Sequence, residues 1–288
     1  MTTNELCPAC GKDGARAPIG IVRQGGRGDV AFSRCNACEA YVSGVVFDVG
    51  AESSRVETQP WGQADTALAL NAFKQRLFDR ALEAVRARRP PPSRLLDIGC
   101  SFGGFLLTAQ AAGYQVQGMD IGVPAVAFLR SQGLPAEVSA SVSELPDTYG
   151  AFDIISVIDV NCYWPNQPGE LRAIHDRLAP GGVLLMRVVD KSWMMSLGLA
   201  LRGLLPGFSA KLRSTAVNDH RFSMPLRSFL TVLGTAGFAR IEVRVSDGLH
   251  SDRTRWPARL MFFVGDLLWR LGRRNVAPGA LIIAERPS

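Results

Sequence analysis

The apolar positions of this chain come in blocks whose spacing changes from segment to segment. Residues 94–98 read as a buried parallel strand, because Leu95, Leu96 and Ile98 leave Asp97 as the polar residue amid an apolar run. Glycines crowd the next six positions, 99–104, and predict a tight turn, after which 105–112 has the spacing of a helix. The same alternation follows, with a strand over 114–119 that ends in Asp120, a helix over 121–132 and a short strand over 135–139. Upstream, Leu68, Ala72, Leu77, Leu82 and Val85 mark one or two helices over 61–89, which Pro90, Pro91 and Pro92 stop. Residues 48–60 are polar enough to read as a linker, and 19–32 as glycine-rich but strand-prone. Two later stretches are unusually apolar: 193–205, and a helix over 260–271 whose Arg259, Asp266, Arg270 and Arg273 fall on one face.

A strand, a glycine turn and a helix in that order make a nucleotide cradle. Side chains in the turn would hold the backbone away from a ligand, and the helix start offers free N–H groups. Asp120 follows the glycines by about twenty residues, where a carboxylate can accept hydrogen bonds from ribose hydroxyls. The dinucleotide spacing G-x-G-x-x-G is broken, since Gly99 is followed by Ser101 and then by Gly103 and Gly104. The stretch Asp97-x-Gly99-x-Ser101-x-Gly103 resembles motif I of class I S-adenosylmethionine-dependent methyltransferases, with serine at the usual central glycine. Residues 152–159 look like that family's fourth strand, and 171–186 like its helix, Pro-Gly-Gly turn and fifth strand.

The resemblance covers 93–288 and implies an α/β, Rossmann-like seven-stranded sheet whose last two strands are 238–245 and 280–285, the latter antiparallel. It implies cofactor contacts from Asp97, Gly99, Cys100, Ser101, Gly103, Asp120, Ile121 and Asp159, and an adenine contact from Ser141 and Val142, where relatives carry an acidic side chain. The segment from Asp219 and His220 to Phe222 and Ser223 is similar to a His-x-x-x-Phe-Ser stretch that relatives bring to the mouth of the site. His220 is thus a candidate base, with anchoring of its loop as the alternative. Tyr163 is a candidate to position an acceptor or relay its proton, with packing beside Trp164 as the alternative. His175 is read as solvent-facing on a scaffold helix, and His250 as part of a polar loop. Asn71, Lys74 and Arg76 read as a solvated helix face, with reach to a substrate as the alternative.

Cysteine spacing changes the picture of the N-terminus. Cys7 and Cys10, then Cys35 and Cys38, are two C-x-x-C pairs, and four thiolates would complete a closed tetrahedral zinc shell that is structural in character; disulfides are the rival reading, disfavoured by the lack of a signal core. Cys100 and Cys162 lie outside it and read as small buried residues. The expected organisation is a zinc ribbon over 1–48, linker and cap helices over 49–92, and a methyltransferase domain over 93–288 with a helical lid inserted at 190–222.

Composition narrows partners only a little. Of 288 residues, 32 are Lys or Arg and 26 Asp or Glu, a formal charge of +6 that is almost all arginine and decides little about nucleic acid. Without an apolar signal core or an eighteen-residue apolar run, the expectation is a cytoplasmic protein, monomeric or homodimeric. The implied activity is methyl transfer to the oxygen or carbon of a small molecule. An RNA methyltransferase that tracks phosphates with Arg16, Arg23, Arg27 and Arg34 is one alternative, and a non-catalytic zinc-ribbon adaptor another. The apolar, arginine-bordered stretches at 193–205 and 260–271 suit a lipophilic acceptor or peripheral contact with an anionic membrane, and equally a lid or dimer face.

Overall fold

The computed structural model describes residues 6–14, 16–25, 27–58, 63–245 and 256–288. Trp61 and His250 lie outside the described residues, as do the side chains of Trp256 and Arg259. At the N-terminus β1 (Arg16–Gln24) and β2 (Gly28–Cys35) form an antiparallel hairpin, and β3 (Tyr41–Ser43) pairs with β2. The segment expected to be a linker is instead a helix, α1 (Val49–Thr58). Asp48 starts it by accepting the Ala51 N–H on its side chain and the Glu52 N–H on its carbonyl. Its polar face is not solvated: Glu52 is buried between Arg27 and Arg55. Charges that neutralise one another inside the protein look like linker chemistry in a sequence.

One helix, α2 (Ala64–Arg86), spans the predicted 61–89 stretch. Its Leu77, Phe78, Ala81 and Val85 are buried against Leu95 and Phe105. There follow β4 (Arg94–Ile98), α3 (Gly104–Ala111), β5 (Gln115–Asp120), α4 (Val123–Ser131), β6 (Ala136–Val138), β7 (Phe152–Ile158), α5 (Gln167–Arg177) and β8 (Leu178–Val189). Then come α6 (Ser192–Ala200), α7 (Pro206–Val217), β9 (Phe222–Ser223), α8 (Leu226–Thr235), β10 (Ala239–Val245), α9 (Trp256–Gly272) and β11 (Gly279–Glu285). Seven strands make the main sheet in the order β10-β11-β8-β7-β4-β5-β6. β11 is antiparallel to both its neighbours, and the remaining pairs are parallel. Every expected strand is present, so the carboxyl ends of β4, β5 and β7 share one edge, where open α/β sheets bind ligands.

His175 departs from expectation, because its ring packs edge-on against Phe238, 5.4 Å between centroids. A larger difference concerns the ribbon. β9, far along the chain, adds to the edge of β3 and completes a four-stranded antiparallel sheet. Val22, Val30, Phe32 and Tyr41 of the ribbon share a buried cluster with Met195 of α6 and with Ala216 and Val217 of α7. Each such large apolar side chain contributes about 1.5–3 kcal/mol on burial, so the ribbon and the 190–222 segment hold one another in place.

On α9 the inward side chains Phe262 and Trp269 are buried in the main core, whereas Leu260, Phe263, Leu267 and Leu271 are exposed at helical spacing. Among the described residues, no helix is long and apolar enough to cross a membrane.

Candidate functional site

Glycine is required at 99 for two reasons. Its φ is +70°, and a Cβ there would lie 2.3 Å from Val160 Cγ2. Beyond the turn, Gly103 opens α3 with φ +79°. Ser101 stands at φ +48°, a left-handed conformation in which a non-glycine residue is strained. Asp120 fixes the turn from the end of β5: one carboxylate oxygen accepts the Ser101 N–H and the other the Gly122 N–H, both at 2.8 Å. Asp97, buried at the sheet centre, accepts the Ser156 hydroxyl at 2.7 Å, and burial pushes its carboxyl up to about 7. Burial also raises the Asp120 carboxyl and the Cys100 thiol.

Above this turn opens a cavity of about 350 Å³. Its cofactor-facing wall holds Asp97, Gly99, Cys100, Ser101, Asp120 and Ile121. Asn71 from α2 lines it too, with a buried Nδ2 that has no hydrogen-bond partner. An adenosyl cofactor fits this wall on the structure's own terms: a cradle closed to side chains, a carboxylate at the ribose position and an orphaned donor above the turn. Lys74, on the helix face read as solvated, enters the cavity and pairs with Asp159 at 3.1 Å. Arg187 binds the other oxygen of Asp159, and the two cations together hold that half-buried carboxyl below its ordinary range despite desolvation.

The opposite wall is assembled from distant segments. Tyr163 sits on a 3-10 turn after β7 and donates its hydroxyl to Asp219 at 3.0 Å. Asp219 also accepts from Arg55 at 3.3 Å and from Asn218 at 2.7 Å. Arg55 in turn joins Glu52 and, through it, Arg27 of the ribbon. Burial, with Cys162 and Asp219 nearby, pushes the Tyr163 hydroxyl well above its usual range, so it keeps its proton at neutral pH. Phe47, Val56 and Trp164 supply the apolar surface here.

Four predicted site residues fall elsewhere. Ser141 and Val142 are absent from the cavity wall, where Ser139 and Ala140 stand instead. The Ser141 side chain caps a 3-10 turn, and Val142 is buried in the core. Gly103 serves packing, since a Cβ would meet Leu129 at 2.5 Å. His220 stands behind the wall, edge-on to Tyr163 at 5.4 Å between centroids and 3.9 Å from Asp219, where burial lowers its pKa to about 4. Asp219, its neighbour in sequence, is the residue that reaches the cavity. Lys74 takes the role offered as the alternative to a solvated face; of the side chains not anticipated, Asp219 was visible as a charge within a predicted segment, while Arg55 and Glu52 were hidden in the apparent linker.

The four ribbon cysteines converge. Cys7 and Cys38 are 3.9 Å apart at sulfur, Cys10 and Cys35 4.0 Å, and all four sulfurs lie within 4.8 Å of one another. Tetrahedral zinc with Zn–S bonds of about 2.3 Å implies sulfurs about 3.8 Å apart, so the donor set fits that ion. Two of the ribbon arginines offered for phosphate contact are engaged internally, Arg27 with Glu52 and Arg34 with Glu39.

Comparison with known proteins gives the site a context. The ubiquinone biosynthesis O-methyltransferase of Xanthomonas axonopodis pv. citri is 32% identical over 120 residues, covering 38% of this chain and 49% of that protein. Its counterpart from Pseudomonas aeruginosa is 27% identical over 106 residues, covering 34% and 45%. The chain thus spans about half the length of the curated relatives it matches. Among solved structures, the CurJ carbon methyltransferase superposes with a TM-score of 0.50 at 16% identity, covering 81% of this chain and 62% of that one. The plantazolicin methyltransferase BpumL gives 0.50 at 12%, covering 83% and 97%. At these identities the likeness is one of fold. The family model described as a methyltransferase domain matches residues 70–243, from the α2 residues above the turn to β10, and with more than half of its length so matched the chain belongs to that methyltransferase family.

Proposed function

We propose that this chain transfers a methyl group from S-adenosylmethionine to a hydroxyl of a small-molecule acceptor. One observation carries the reading: a single cavity joins the glycine turn and Asp120 on one wall to the Tyr163–Asp219 pair on the other. When bound, the cofactor supplies a sulfonium-activated methyl. Asp120 is placed to accept from ribose hydroxyls, Asn71 to donate to the ligand over the turn, and Lys74 with Asp159 to meet its charged end. The two walls orient acceptor and donor in line, and Phe47, Val56 and Trp164 exclude water. Tyr163 receives the acceptor hydroxyl, and as that proton leaves the acceptor, the tyrosine's own proton moves to Asp219 Oδ2, on the carboxylate that Arg55 and Asn218 hold in place. Relatives named as O-methyltransferases support oxygen as the acceptor atom. The ribbon's cysteines hold zinc as a structural ion.

The test is calorimetry with S-adenosylhomocysteine, followed by mass spectrometry of extracts incubated with the protein and isotopically labelled S-adenosylmethionine. Binding together with a labelled small product supports the reading, whereas no binding ends it. Label appearing in RNA alone would replace the small-molecule acceptor.

A second reading concerns where the acceptor resides. The exposed stripe of Leu260, Phe263, Leu267 and Leu271, with Arg270, Arg273 and Arg274 exposed beside it, has the apolar and cationic make-up that docks on an anionic bilayer. A lipophilic acceptor would be drawn from that surface. Sedimentation with phosphatidylglycerol vesicles at low and physiological salt tests it, and protein left in the supernatant at both refutes it.

A further inference from the structure

The two walls of the cavity differ in what holds them up, and among the described residues the ribbon's direct hydrogen bonds reach only one; the cofactor wall meets it only through α1, where Ser53 donates to Ile121 O and Glu52 pairs with Arg27. Its first cysteine knuckle, the turn between Cys7 and Cys10, presents the carbonyls of Pro8 and Ala9 to Gln167. The Gln167 backbone N–H donates to Pro8 O at 2.8 Å and its side-chain Nε2 to Ala9 O at 2.8 Å. Its remaining oxygen accepts from Asn161 Nδ2, also at 2.8 Å. Gln167 has no exposed surface and Asn161 is 5% exposed, so water cannot substitute for these bonds. Asn161 begins the turn that carries Tyr163 and Trp164.

A second connection reaches the same turn from the other side. Ribbon strand β3 pairs with β9, and the Ser43 N–H donates to Arg221 O at 2.7 Å. The Arg221 N–H then donates to Cys162 O at 3.0 Å. One step earlier in the chain, Gln24 of β1 donates to His220 O at 2.7 Å, beside Asp219. Both Tyr163 and Asp219 are therefore suspended from the ribbon. The turn at 99–104 and the Asp120 contacts, by contrast, arise within the main sheet.

We propose that Gln167 is a positioning residue through which the metal-bound cysteine knuckle sets the acceptor wall, so that metal loss disorders the 161–164 turn and the 219–224 segment while leaving the cofactor wall intact. This rests on the division of the cavity into cofactor and acceptor walls. It makes the ribbon a part of the active site's frame that never touches the reacting atoms.

Hydrogen exchange of the full chain, read by peptide mass spectrometry, tests the proposal without any acceptor. In Gln167→Met the side chain keeps its volume but loses both bonds, so a role in packing alone would leave exchange unchanged. The proposal expects amides of 161–164 to exchange about tenfold faster, the usual effect of one lost buried hydrogen bond. Residues 97–105 should exchange as before, and the dissociation constant for S-adenosylhomocysteine should stay the same. Cys38→Ser should free 161–164 and 219–224 together; should that variant fail to fold, metal-loaded Gln167→Met decides alone. Unchanged exchange at 161–164 in Gln167→Met overturns the proposal, as does equal loosening of 97–105. Absent S-adenosylhomocysteine binding in the unmutated chain would instead count against the methyl-transfer reading, leaving the exchange contrast to be read separately.

Discussion

The cofactor wall and the acceptor wall of the cavity are built on different principles. The first has its frame in a nearly continuous stretch, β4 through β5, in which a short strand, a glycine turn and a carboxylate are spaced by local geometry, with Asn71 of α2 added from above. The second is drawn from the ribbon, from α1, from the turn after β7 and from the segment before β9, and its Asp219 gathers three of those parts through Tyr163, Arg55 and Asn218. A wall encoded locally tolerates little change in spacing but owes little to distant segments. A wall encoded at long range can take up a new acceptor by altering any of its contributors, and it depends on all of them for position.

The widest separation of the two walls should come from Tyr163→Phe. Loss of the hydroxyl removes the proton path to Asp219, and turnover with an identified acceptor is expected to fall by about 10²–10⁴. Affinity for S-adenosylhomocysteine should not change. Comparable turnover of the variant would make Tyr163 a packing residue and shift the proton to Asp219 directly.

His220 allows a test by pH. Burial lowers its pKa from the ordinary 6.5 to about 4, so the unfolded chain binds the proton more readily than the folded one. Stability must then fall as pH drops from 6.5 toward 4, by up to about 3 kcal/mol from this group. His220→Asn should remove that part of the slope in denaturant titrations across the window. The rate profile should show no limb near 6.5 due to this residue, and such a limb abolished by His220→Asn would restore it as the base.

Asp120→Ala strikes the other wall. Two backbone N–H groups and the ribose hydroxyls lose a charged acceptor, and affinity for S-adenosylhomocysteine should weaken by about 1–3 kcal/mol. Calorimetry gives the number directly, and an unchanged dissociation constant would remove Asp120 from the cofactor site.

How much of this could be read from the sequence follows the same division. The early strands and helices and the glycine turn were legible because strand and helix periods and glycine spacing are local signals, whereas the seven-stranded sheet with its antiparallel last strand was legible only through the resemblance to a family. The cysteine cluster was legible from its local spacing. Ser141 and Val142 were misplaced by two residues, since Ser139 and Ala140 reach the wall, and nothing in the local pattern fixes where a short strand's loop turns in. His220 was singled out for its chemistry, while Asp219 does the reaching, because one residue's step along a loop reverses which side chain faces the cavity. Helix α1 and the β3–β9 pairing were invisible for a deeper reason. Glu52 looks like a surface charge until Arg27 is known to lie opposite, and a two-residue strand has no period to detect.

The smallest expected effect is also the one that asks most directly whether the cofactor wall is read through its backbone. Ser101 occupies φ +48°, where its Cβ is strained and glycine is not. Its one hydrogen bond across the turn is made by the N–H to Asp120, a group that glycine keeps. Ser101→Gly should therefore leave affinity for S-adenosylhomocysteine as it is. Relief of strain should raise stability, and the added freedom of the unfolded chain should take part of that gain back, for a net change of at most about 1 kcal/mol. Thermal unfolding with and without S-adenosylhomocysteine measures both terms together. If affinity instead drops while the fold holds, the serine hydroxyl itself contacts the ligand, and the wall that looks purely local carries a side-chain specificity that glycine at this place would lack.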